Sequence, residues 1–145
     1  MFELARHVVI VLGQLLLVVK AGELLRWVTT PGGRVEMTAD GRAFLAADIG
    51  KRKHLLNVTL RGLFVFDFIV QALKKSANGE VDEAVVLGEF ARYFPRERPL
   101  RVLRTVVAWA RYATLFDFNS ARRVVHGLRQ LASRNGPSSL PAPRA

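Results

Sequence analysis

The residues that could carry a reaction are few: no cysteine, three histidines and twelve carboxylates in 145 residues. Without cysteine there is no thiolate nucleophile, no disulfide and no sulfur-ligated metal. His7, His54 and His126 lie far apart, and none has a histidine or carboxylate four residues on, as a helical metal site would want. Gly50-Lys51 has the outline of a phosphate loop, but that loop needs a glycine at position 45, where Leu45 stands, and a hydroxyl after Lys51, where Arg52 stands. Asp67 sits in the aromatic run FVFDF with no acid, base or nucleophile nearby, so it reads as a hydrogen-bonded or helix-edge carboxylate. These absences argue against an enzyme. What remains is charge. A formal net charge of +10 implies attraction to something anionic: nucleic acid, anionic lipid or an acidic protein surface. Arg98, Arg101, Arg104, Arg111, Tyr112, Arg122 and Arg123 are the candidate docking or anion-contact residues.

The element that must present most of them is PLRVLRTVVAWARYATLFDF, 99–118. Leu100, Leu103, Val107 and Ala110 recur at three- and four-residue steps and form an apolar stripe, with Arg101, Arg104 and Arg111 mostly on the other side. Pro99 suits a first helical turn, and Leu115 to Phe118 suits a strand directly afterwards. Trp109 and Phe116 are expected to close the core between this helix and the wing after it. Residues 116–125 then form a hairpin with its turn near Asn119-Ser120, or else a helix runs through 120–132.

Upstream, the apolar run Val8 to Val19 is twelve residues long and interrupted by Gly13-Gln14, too short to span a bilayer, which needs about 20 residues. It predicts a buried helix with Leu12, Leu16, Val19, Glu23 and Leu24 along one side. WVTTPGGRVEMT, 27–38, is a hairpin signal around Pro31-Gly32-Gly33. Thr38 suits an N-cap, followed by a helix with Phe44 and Leu45 inward. Lys51, Arg52 and Lys53 read as a solvated helix turn. Leu55 to Leu73 reads as one helix with Leu56, Leu60, Leu63 or Phe64, and Val70 at core spacing, stopped by Ser76-Ala-Asn-Gly79. Asp82 to Phe94 reads as another, apolar at Val86, Phe90 and Phe94.

Two blocks, Met37 to Lys53 and Trp109 to Phe118, resemble the AAA-associated C-terminal domain, whose members carry LTPxGRxFxxADIxxRK and W-G-R-Y-A-E-L-F-x-Y patterns. The resemblance covers roughly 20–126 by eye. Ala110 stands where the family tends to have glycine. In that family the domain is appended to ATP-binding subunits of nitrate/sulfonate/taurine-type ABC transporters, and its expected fold is a pair of winged-helix-like units.

The expectation is therefore a mainly α protein with short β-hairpins (α+β), winged-helix-like, with one nearly complete unit preceded by a truncated one. Residues 1–60 would form the partial first unit with its hydrophobic N-terminal helix, 61–126 the second unit, and 127–145, rich in Pro and Ser, a disordered tail. A misplaced start, a truncated gene or a split subunit would each produce such a front. The resemblance implies a non-catalytic accessory or regulatory domain that docks on an ABC transporter ATPase or its complex. That places it in the cytoplasm, at most peripheral to the inner membrane, with no cofactor. The alternative is a winged-helix DNA-binding protein; with no Asn, Gln or Ser among its arginines to read base edges, its contacts would be mainly to phosphates. The uncovered first helix could pair two copies of the chain.

Overall fold

The computed structural model describes residues 14–128. It is mainly helical with two small antiparallel sheets, the α+β class expected, and it divides into two units at Thr59/Leu60. The predicted tail and the start of the apolar run, Leu12 included, lie outside the described residues.

Among the described residues, the first element of the first unit is helix α1, helical over 14–24. Strands β1 (Val28–Thr29) and β2 (Glu36–Met37) pair around a 3-10 turn at Pro31–Gly33, as the hairpin signal predicts. Gly32 and Gly33 both take positive φ there, which a side chain would resist. Helix α2 (Ala39–Ala46) starts as expected at Thr38, whose hydroxyl accepts the Gly41 N–H at 3.1 Å and donates to the Arg26 carbonyl at 2.8 Å. Helix α3 (Ile49–Arg61) begins where the Asp48 carboxylate accepts the Lys51 N–H at 2.8 Å, and its last residues belong to the second unit.

Two inward assignments fail in this unit. Leu16 and Leu24 on α1 are 56% and 55% exposed, and Leu15, Leu17 and Val18 are also open. Among the described residues, two-residue strands and an eight-residue helix are too small to cover the unbroken apolar run Leu15 to Val19. Phe44 stacks on Trp27 with ring centroids 3.9 Å apart, but Leu45, about 100° further round α2, faces outward.

In the second unit, the expected continuous helix breaks. Leu63 is extended (φ −94°, ψ 129°), and a new helix, α4 (Phe64–Lys75), starts after it. Gly62 just before the break gives little support to a helix. Strand β3 (Glu80–Asp82), helices α5 (Glu83–Tyr93) and α6 (Pro99–Tyr112), and strands β4 (Asp117–Asn119) and β5 (Val124–His126) complete the unit. The sheet order is β3-β5-β4, so the last of the described strands lies in the middle. Of the two readings of 116–125, the hairpin is the one observed. Val81 faces Val125, which faces Phe118.

This core is well formed. Leu60, Ile69, Val86, Leu103, Phe116 and Val125 are its largest fully buried side chains, joined by Phe66 and Phe90. Leu100, placed on the core stripe by periodicity, is exposed because it lies in the first turn of α6, short of the packed stretch. Between α6 and β4 the turn needs neither Gly nor Pro. Thr114 takes the left-handed conformation (φ 53°), and the Leu115 N–H reaches back to the Ala110 carbonyl at 2.8 Å.

Candidate basic docking face

Helix α6 has two chemically distinct sides. Leu103, Val106, Val107 and Ala110 are buried, while Arg101, Arg104, Thr105, Ala108, Arg111 and Tyr112 are exposed along the opposite side. Arg98 sits at the N-cap, ahead of a first turn that contains no acidic residue. Among the described residues no carboxylate forms an ion pair with Arg98, Arg101 or Arg104. Their charges are free to meet an anion together with the positive end of the helix dipole. Arg96, in the turn before α6, is a further exposed arginine that the sequence pattern did not single out.

The other candidates are engaged within the fold. Arg111 Nη2 lies 2.6 Å from Asp117 Oδ1 and its Nε donates to the same oxygen at 2.7 Å, tying the end of α6 to the start of β4. Arg122 holds Glu80 through two parallel bonds of 2.6 and 2.7 Å. Arg123, at positive φ (54°), donates to Glu83 Oε1 at 2.7 Å, while its carbonyl accepts the Glu83 N–H at 2.9 Å. Glu83 is only 6% exposed, so its charge is tolerated because Arg123 covers it. The hairpin turn is thus latched to β3 and the start of α5 by two bridges. Both acids lie about forty residues from their partners, and nothing local in the sequence announces them.

Burial pushes the Asp117 carboxyl up, but the hydrogen bond from Arg111, the Phe118 N–H and the charges of Arg111 and His126 outweigh it, leaving its pKa below the ordinary 3.8. A lowered carboxyl stabilises the fold above its unfolded pKa, and that contribution is lost as pH falls through the lowered folded value. Asp117→Asn should therefore be less stable than the parent at neutral pH, with the difference closing below about pH 4, as followed by urea melts across pH 2.5–7. A constant difference across that range would place the role of Asp117 outside its charge.

The two sequence blocks hold the framework. In the first, Thr38 caps α2, Phe44 stacks on Trp27, and Asp48 opens α3. Arg52 donates to the Phe44 and Leu45 carbonyls at 3.1 and 2.7 Å, closing the C-terminal end of α2. Of the basic trio 51–53, expected as a solvated turn, Arg52 is an internal cap. In the second block Phe116 is fully buried, while Trp109, half-buried, stacks on Phe66 at 6.4 Å between centroids.

Among the described residues no group of histidines and carboxylates could hold a metal ion, and no single helix is long and apolar enough to cross a membrane. Compared with known proteins, the chain matches a family model described as the C-terminal AAA-associated domain over residues 2–119. No curated protein and no solved structure matches it.

Proposed function

The chain belongs to the C-terminal AAA-associated domain family, which makes it an accessory module of ATPases, and from that premise we propose that it works by protein docking rather than by catalysis. The ATPase would supply nucleotide hydrolysis, and this chain a folded surface on the cytoplasmic side of an ABC transporter complex. The observation that carries this reading is the outer side of α6, where Arg98, Arg101 and Arg104 stand exposed without ion-pair partners among the described residues. Such a row fits an acidic protein surface, and charge complementarity across it would speed encounter and fix orientation. The connectivity α4-β3-α5-α6-β4-β5, with sheet order β3-β5-β4, supports a winged-helix reading of the second unit, α6 being its third helix.

Mixing the full chain with the ATP-binding subunits of nitrate/sulfonate/taurine-type ABC transporters from its own cell should give a complex with one of them on size exclusion. Arg101→Glu with Arg104→Glu should abolish that complex while leaving the circular dichroism spectrum and melting temperature unchanged. A complex indifferent to both reversals would place docking elsewhere.

One observation favours DNA as a second reading: an exposed basic third helix runs directly into a hairpin, an arrangement that can lie along a duplex. With Arg122 and Arg123 held by Glu80 and Glu83, the contacts reduce to Arg98, Arg101 and Arg104. Three phosphate contacts give a slope of log K against log salt of about −2.7. Binding to random duplex with that slope at physiological salt would support this reading; none above background removes it.

A further inference from the structure

The second unit also contains a pocket that shares no residue with the basic face. It opens where the end of α3, the second half of α4, the Gly79 turn and the end of β5 meet, and its volume is about 350 Å³. Val70 and Leu115, both buried, with Leu73 and Leu128, supply apolar wall, and Arg61 and Lys74 stand at the exposed edge. No carboxylate lines it. Lys74 forms no ion pair among the described residues. The backbone at the rim leaves room. Gly79 has positive φ (67°), and a side chain at Gly127 would meet nothing within 4 Å.

We infer that this pocket binds a small amphiphilic anion, a short aliphatic acid whose chain lies against Val70, Leu73 and Leu115 and whose head group meets Lys74 at the exposed edge. The volume is near the lower end of the roughly 300–1,000 Å³ of ligand pockets, which favours a short chain over a full lipid. Lys74, with no ion pair among the described residues and no acid in the lining, favours a negative head group, and apolar walls disfavour a bare inorganic anion, which would gain no contact there and would lose hydration. Arg61, Lys74 and the strand ends belong to different segments, so an occupied pocket would tie α4 to the sheet. That is a route by which a metabolite could adjust an accessory module.

The test is a titration of the full ¹⁵N-labelled chain with octanoate, octanol and inorganic phosphate, read from backbone amide shifts. Octanoate should shift the amides of Gly79, Leu115 and Gly127 saturably. Octanol should bind at least about fivefold more weakly, and phosphate should leave those amides unmoved. Lys74→Gln should weaken octanoate about fivefold or more, while Lys75→Gln, one residue beyond the lining, should not. Equal binding of octanol and octanoate, unchanged octanoate affinity in Lys74→Gln, or shifts confined to other amides would each overturn the assignment. Phosphatidylglycerol vesicles that shift these amides when octanoate does not would overturn it too, in favour of a membrane surface. Failure of the docking experiment leaves this outcome untouched, since the two readouts use different residues.

Discussion

Replacing Phe116 with alanine is expected to cost the second unit about 3–5 kcal/mol, the range for truncating a buried aromatic residue. Phe116 is fully buried between the end of α6 and the first residues of β4, with its ring 6.4 Å from that of Phe66. Truncation leaves a cavity where helix passes to strand. The surrounding chain has little freedom to collapse into it, because Thr114 is in a left-handed turn and the Arg111–Asp117 bridge pins the next residue. Since the whole stability of a small domain is about 5–15 kcal/mol, the variant should melt far below the parent or fail to fold at 37 °C. A urea midpoint within the scatter of surface variants would show that the buried ring is not what joins α6 to the sheet.

The second large effect is expected at Gly41, in the first unit. This glycine is buried and helical, and its conformation is one that any residue could adopt. What excludes a side chain is proximity. A methyl group there would come within 2.2 Å of the Trp27 carbonyl oxygen, 3.0 Å of the Trp27 carbonyl carbon and 2.9 Å of Met37 Cγ. The obstacle is mainly backbone, which cannot rotate away as a flexible side chain would. The same Trp27 carbonyl accepts the Thr38 N–H at 2.9 Å, so pushing it aside also loosens the Thr38 cap and the Trp27–Phe44 stack. Gly41→Ala should therefore destabilise the first unit by at least the upper end of the roughly 1–3 kcal/mol of overpacking changes. Gly88→Ala is the control. It lies inside α5 with open space around it and should stabilise by about 0.5–1 kcal/mol through helix propensity alone. Hydrogen exchange resolves the two units: amides of α2 and the β1–β2 hairpin should lose protection in Gly41→Ala. Full protection there would mean that α2 shifts to admit the methyl group at little cost.

The glycine shows why the first block was readable as a pattern but not as a mechanism. Thr38 was legible as an N-cap from its type and position, because capping is a local hydrogen bond within three residues. That Gly41 is needed for a close approach was not legible, since the approaching atoms belong to Trp27, fourteen positions earlier. The same division holds at Arg52. Its charge suggested a solvated turn, and only the packing of α3 against α2 turned it into a cap for the Phe44 and Leu45 carbonyls.

The sequence by itself determined whatever depends on neighbours a few residues away. The glycines at 32 and 33 favoured the hairpin turn, Pro99 favoured a helix start, and the three- and four-residue recurrence of Leu103, Val107 and Ala110 selected the buried side of α6. Inward assignments failed where burial ran out, at Leu45, at Leu100 and along α1, because a period states which side is apolar and not whether anything covers it. Tertiary structure alone decided which cations remain available to a partner. Arg101, Arg104, Arg122 and Arg123 are indistinguishable by type, yet the last two are bound to Glu80 and Glu83 across the sheet while the first two are left exposed. An ion pair is fixed by distance in space, and when its members lie forty residues apart only the folded chain brings them together.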